Sequence, residues 1–247
     1  MKKAAPAKKG GAKKTQARQE PWLVRAVLFI RRWFWRLILI PPILLLLVVV
    51  LFRFVNPPTT HTIWAEKRRL GEVDRQWVAI ENMSPYAPRS IVAAEDANFC
   101  LHWGFDMVAI REALDDGAQR GASTITQQTV KNVFLWQERS WLRKALEAVI
   151  TPVVEIAWPK KRILEVYLNV AEMDEGVFGI EAAAHRYFDT APRDLTAIQA
   201  ARIAAVLPDP KRRDAARPGD WLRRRASSIA DGAATIEADG RADCFED

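Results

Sequence analysis

A chain of 247 residues, 49% of them hydrophobic, is too apolar for a disordered protein and long enough for one sizeable domain with appendages. Its net charge of +7 is unevenly spread: residues 1–36 hold eleven Lys/Arg against the single acid Glu20, whereas residues 37–247 hold 26 basic and 29 acidic groups, a balance of −3. The basicity therefore belongs to a tail, which argues against a nucleic-acid-binding body, and two cysteines are too few for a disulfide framework.

Residues 1–20 are basic and of low complexity, so they predict a disordered tail able to touch anionic lipid. Residues 21–55 predict a membrane anchor. "LILIPPILLLLVVVLF" (Leu37 to Phe52) has no charge in sixteen residues, and its flanks extend it to the ~20 apolar residues a bilayer crossing needs. Trp33 and Trp35 suit the interface, and the basic tail before them predicts a cytoplasmic N-terminus with the body outside. The following "RFVNPPTTH" lacks a small-x-small cleavage site, so the segment reads as an uncleaved single-pass anchor.

A polar linker is expected at 56–75, and a mainly α domain from 76 to 247. Ser84 before Pro85 reads as a helix cap, as do Asp106, Ser123 and Ser140 before their own apolar-periodic runs. Pro152 should bend the helix it interrupts, and Pro159 should open the next. "FGIEAAAHRYF" and "LTAIQAARIAAVL" follow, and "WLRRRASSIADGAATI" predicts a last, weaker helix.

Four clusters carry chemistry-bearing residues. In "AAEDANFCLHWGFD" (Ala93 to Asp106), Glu95 and Asp96 stand side by side at a helix end, with His102 and Asp106 close behind. A carboxylate at an apolar cleft edge is raised in pKa by desolvation and suits proton transfer; a solvated helix end is the plainer reading. His102 has no partner at metal spacing and reads as a loop-holding group. In "GASTITQQTVKN" (Gly121 to Asn132), Thr124, Gln128 and Lys131 fall on one helical face, a hydroxyl, an amide and an ammonium suited to sugar and phosphate oxygens. "ERSWLRKALE" (Glu138 to Glu147) sets Arg143 and Lys144 within helical reach of Glu147, which ordinary ion pairing also explains. In "ILEVYLNVAEMDEGVFGIEAAAHRYF" (Ile163 to Phe188) small residues such as Gly179 allow close helix packing, and Glu165 and Glu172 read as supporting acids. Cys100 and Cys244 read as thiols of no special role, with one disulfide open to them in an oxidising compartment.

Five blocks in order, "EDANFCLHWGFD", "GASTITQQTVKNVFLW", "RSWLRKALE", "KKRILEVYLNVAEMDEGVFGIEAAAHRYF" and "ARIAAVLPDPKRR", closely resemble the peptidoglycan glycosyltransferase family shared with class A penicillin-binding proteins. Wording such as "FLWQERSWLRK", with no Ser-x-x-Lys motif, is similar to its monofunctional biosynthetic members. The resemblance implies a lysozyme-like, mainly α glycosyltransferase domain behind one N-terminal transmembrane helix. It implies polymerisation of lipid II onto a lipid-linked glycan, with inversion and release of undecaprenyl pyrophosphate. Glu95 matches the general base, and Glu147 the second glutamate that assists the leaving group, with a divalent cation (Mg or Mn) as an expected helper. Asp96, a supporting neighbour, and Ser123, Thr124, Gln128, Lys131, Arg139 and Lys144 match substrate-contacting positions. Gly121-Ala122-Ser123 departs from the family's usual Gly-Gly-Ser. Expected partners are lipid II, the glycan chain, the membrane and other cell-wall synthesis or division proteins, with no nucleic acid. The expected location is the bacterial inner membrane, with the catalytic domain periplasmic. A membrane-anchored lytic hydrolase and an inactive scaffold of a cell-wall complex are the competing readings.

Overall fold

A computed structural model describes residues 22–117 and 121–246. The chain divides into two compact units, Met1–Leu45 and Leu46–Asp247. The expectation for residues 1–20 lies outside the described residues.

Helix α1 (Trp22–Phe54) continues through Pro41 and Pro42. Within Val24–Phe54 an 18-residue window reaches a mean hydropathy of 2.8, and nearly all the side chains of the stretch are exposed. At 1.5 Å per residue it extends about 46 Å, more than the ~30 Å hydrocarbon core of a bilayer. Among the described residues it is the one helix long and apolar enough to cross a membrane, which fits membrane anchoring.

The second unit begins within the last turns of α1. Its final carbonyls are satisfied by side chains: Arg162 donates to Phe52 O at 2.9 and 3.1 Å and to Val55 O at 3.0 Å. A cation at a helix C-terminus answers both the orphan carbonyls and the helix dipole. Trp158 Nε1 also donates to Val49 O at 2.7 Å.

The stretch read as a linker, 56–75, carries structure instead. Thr60 caps helix α2 (His61–Leu70), which buries Thr62 and Ile63, and strand β1 (Asp74–Arg75) follows. The polar composition that suggested a linker belongs to the exposed face of an amphipathic helix. After it come α3 (Tyr86–Glu95), α4 (Met107–Asp115), α5 (Ile125–Phe134), α6 (Trp141–Ala157) and α7 (Lys160–Val170). Strands β2 (Glu172–Asp174) and β3 (Val177–Phe178) lead into α8 (Gly179–Phe188), α9 (Ala197–Val206), α10 (Asp220–Ala238) and the short turn α11 (Asp243–Glu246).

The caps explain most helix starts. Asp106 Oδ1 accepts from Val108 N and Ala109 N at 2.9 Å, and Ser140 Oγ accepts from Arg143 N at 3.1 Å. Two expected caps differ. Ser84 gives its hydroxyl to Leu195 O at 2.8 Å, so it ties α3 to the loop before α9 rather than capping. Ser123 lies one residue outside α5, whose cap is Thr124 in a reciprocal capping box with Gln127. Helix α6 runs on through Pro152, and Pro159 precedes α7.

The core centres on α7, whose Ile163, Leu164, Val166 and Leu168 are fully buried between neighbours that include α5 and α8. Helices α3, α9 and α10 form a second packed group. The mainly α expectation holds, with one addition. A three-stranded sheet of order β1-β3-β2 pairs β1 parallel and β2 antiparallel to β3. Gly179 enters α8 at φ +85°, where a Cβ would lie 3.1 Å from Asn169 backbone atoms. The last residues also pack on the domain: Cys244 in α11 forms a disulfide with Cys100 in the loop after α3.

Candidate active site

The paired acids at the end of α3 have separate roles in the structure. Asp96 is buried and its oxygens are engaged: Oδ1 meets His102 Nε2 at 2.8 Å, and Oδ2 accepts from Ile125 N at 3.0 Å. It thereby joins the α3–α4 loop to the first turn of α5, where the helix dipole also favours its charge. His102 holds the loop through this contact, as expected, but it is not isolated: the fold brings it to metal-like spacing with Asp96 and Asp106, which lie near it in the chain. Glu95 is half-buried in a cleft, and its Oε2 accepts one bond, from Gln128 Nε2 at 2.7 Å.

Tyr167 on α7 completes this line by donating from its hydroxyl to Gln128 Oε1 at 3.2 Å. The amide is thus held from both ends. Burial raises the Glu95 pKa, opposed by the Gln128 hydrogen bond and by the charges of Arg225 and Lys131, while Asp96 pushes it further up. A raised but partnered carboxyl is suited to proton transfer. Neither Tyr167 nor Arg225 is marked in the sequence. A tyrosine in an apolar helix and an arginine in a basic one look like core and surface.

Lys131 lies one turn along α5 from Gln128. Burial lowers its pKa, and Glu147 and Glu95 oppose that while Arg143 and Lys144 add to it. On α6, Glu147 is buried between two cations, with Lys144 Nζ at 2.5 Å and Arg143 Nη1 at 2.7 Å. Lys144 also reaches Ser123 Oγ at 3.4 Å. Arg139 is exposed and lines a recess with Ser140, Trp141, Arg143 and Lys144. Several cations thus gather around one buried carboxylate, which offsets part of their charge.

Thr124 is buried, donates to Gly104 O at 2.7 Å and accepts from Gln127 N. Its hydroxyl, like the carboxylate of Asp96, is engaged within the protein. Gly104 holds φ +80°, and a Cβ there would lie 2.5 Å from Thr151 Cγ2. Of the two supporting acids, Glu165 pairs with Arg162 at 2.5 Å and Glu172 with Lys211 at 3.3 Å.

Gln128 and Lys131 line a cleft of 360 Å³ that continues to Glu66, Glu172 and Lys211. A smaller recess of 240 Å³ is lined by residues 93–98 and 121–124, among them Glu95 and Ser123. Glu95 thus lines the smaller recess, and its partner Gln128 lines the larger one beside Lys131. The divalent ion expected at Glu147 meets a carboxylate whose two oxygens are held by Arg143 and Lys144, so these residues do not fit a resident metal. Asp96, His102 and Asp106 form the one acid–histidine cluster of metal-like spacing among the described residues. Their carboxylate oxygens accept protein N–H groups instead.

The profile of the family described as Transglycosylase matches residues 63–234. Among similar curated proteins, a "Biosynthetic peptidoglycan transglycosylase" of Jannaschia sp. (strain CCS1) is 63% identical over 197 residues, covering 80% of this chain and 82% of that protein. Proteins of the same name from Caulobacter vibrioides and Rhodospirillum centenum are 44% and 45% identical. Each match covers about four-fifths of this chain, and 87% and 88% of those proteins respectively.

Proposed function

The chain belongs to the transglycosylase family, as a monofunctional peptidoglycan glycosyltransferase of lysozyme-like fold, and from that premise we propose how its residues divide the work. The enzyme polymerises glycan chains from lipid II in cell-wall synthesis. In our reading, Glu95 takes the proton of the acceptor's 4-hydroxyl as that oxygen attacks the anomeric carbon of the lipid-linked glycan. The C–O bond to the diphosphate breaks on the opposite face, so the linkage inverts, and the lipid diphosphate leaves with the bonding electrons. Lys131, Lys144 and Arg139 receive its negative charge, with Ser123 as a hydroxyl donor. Glu147 holds Arg143 and Lys144 in place before the anion binds. Gln128 orients Glu95, and Asp96 and Thr124 fix the loop and helix start that line the acceptor side.

The observation that carries this reading is a single-bonded, half-buried carboxylate beside a preassembled cation cluster. A hydrolase would need no such cations, because a sugar leaving group takes a proton instead. Anchoring by α1 suits substrates that are themselves held in the membrane by polyprenyl chains, since search is then confined to a surface. In our reading the enzyme sits in the bacterial inner membrane, with the N-terminus cytoplasmic and the catalytic domain periplasmic. Other cell-wall synthesis or division proteins are proposed partners.

The test is lipid II polymerisation by Glu95→Gln. Loss of a positioned general base lowers the rate by about 10²–10⁴-fold. Wild-type polymerisation by this variant overturns the base assignment. Glycan shortening from intact sacculi, without polymer from lipid II, would overturn the transferase reading.

A further inference from the structure

Glu95 is the last residue of α3, a place that disfavours a carboxylate: helix C-termini present unpaired carbonyls and a partial negative charge. One of those carbonyls, Ala94 O, accepts from Arg225 Nη2 at 3.1 Å. Arg225 comes from α10, outside the five family-like blocks, and makes no ion pair among the described residues. No carboxylate of the described residues is within ion-pair distance of its guanidinium. Helix α10 comes close at this point, for a Cβ on Gly232 would sit 3.3 Å from Ala93 Cβ. Buried Ala226, Ile229 and Ala233 form the packed face beside Arg225. On the other side of Glu95, Arg241 Nη1 donates to Ala97 O at 3.1 Å. The backbone carrying the acid is thus held before and after by guanidinium groups from the C-terminal segment.

We propose that Arg225 is a positioning residue for glycosyl transfer: from α10 it fixes the backbone of Glu95 and supplies a constant positive charge beside its carboxylate. This rests on the reading of Glu95 as base. Burial and the helix end both push the carboxyl's pKa up, and a nearby positive charge opposes them. The other groups around Glu95 are Asp96 on its own loop, Gln128 and Lys131 from α5, and Tyr167 from α7. Helix α9, which also packs on α3, carries Arg202 as its one charged residue.

The experiment is the pH profile of kcat/KM for lipid II polymerisation by the full chain. The acid limb reports protonation of the base. In Arg225→Gln it moves up by about half to one pH unit, a loss of roughly three- to tenfold at a pH on that limb. Arg225→Lys keeps the charge and leaves the limb near its wild-type position. Arg223→Gln, an exposed neighbour on the same helix, leaves it unchanged. If Arg225→Gln is too unstable to assay, Arg225→Met keeps the aliphatic stem and reads the same limb. A profile lowered at all pH values without movement of the limb, or one identical to wild type, overturns the proposal. Glu95→Gln run in parallel separates the two readings. Activity there removes the base assignment, whereas an inactive Glu95→Gln with an unmoved limb in the Arg225 variants removes only the role of Arg225.

Discussion

The two adjacent acids of "AAEDANFC" differ in how much of each carboxylate the protein engages. Asp96 faces an imidazole and a backbone N–H and is buried, so it acts as a fixed part of the scaffold. Glu95 keeps one oxygen without a protein hydrogen bond, and its pKa is raised by burial. A raised pKa has a sign consequence for stability. Between the ordinary carboxylate value and the raised native one, the native state binds the extra proton, so stability falls as pH rises through that window. Above the native value the cost is fully present; below the ordinary value it is absent. Glu95→Gln should therefore melt at a higher temperature than wild type at pH 8, with the difference shrinking as pH falls toward 4. Thermal denaturation across that range checks it, and a less stable Gln variant at pH 8 would contradict the assignment of Glu95 as a strained, functional acid. The proposed base was legible in its family-like block; the residues that surround it were not. Tyr167 and Arg225 reach Gln128 and Ala94 from helices 39 and 131 residues away, and no local pattern encodes such a meeting.

The helices were legible where capping chemistry and apolar spacing agree, as at Asp106 and Ser140. The small sheet was not, because strands of two and three residues are too short to show a period. Helix α2 was hidden for a different reason: ten residues, five of them charged or histidine, look like solvent-facing chain until α5 is there to cover Thr62 and Ile63. The C-terminal elements were the largest omission. The weak helix expected from "WLRRRASSIADGAATI" is the 19-residue α10, packed against α3 and α9, and the two thiols of no assigned role are joined. That bond closes a separation of 144 residues, and beside it Phe245 packs on Phe99 and Arg89 pairs with Glu246 at 2.5 Å. Closing so long a loop stabilises a domain by about 4–5 kcal/mol where loop entropy dominates. The double variant Cys100→Ser/Cys244→Ser should lose stability on that order in denaturant titration. Its loop at residues 97–102 should also become more open to proteolysis than the α5–α7 core. Equal stability of the two proteins would show that the surrounding contacts hold the C-terminus without the bond.

At the scale of the whole molecule, the cation cluster and an exposed apolar line share α6. One face of this helix buries Glu147, Ile150 and Val154 against the domain. Leu142, Val149 and Ile156, spaced by seven, stand 65–75% exposed on another, and Trp141 is exposed beside them. On α4, Met107, Val108 and Leu114 are likewise exposed. Scattered apolar side chains on a surface need no explanation, but a straight line of them along a helix whose other residues are proposed to bind the leaving group does. The diphosphate that Lys144 and Arg139 would receive carries a long hydrocarbon chain, and an apolar face beside the cation cluster lets that chain stay in an apolar medium. The double variant Val149→Ser/Ile156→Ser in the full chain removes apolar surface without touching a buried contact, so melting should be nearly unchanged. Polymerisation of membrane-borne, long-chain lipid II should fall several-fold, while that of a water-soluble analogue with a shortened prenyl chain should hardly change. Each buried CH2 contributes about 0.8 kcal/mol, which is why the loss should scale with the length of the prenyl chain. Equal losses on both substrates would place the effect on the reacting groups instead, and no loss on either would leave the exposed line of α6 without a part in substrate capture.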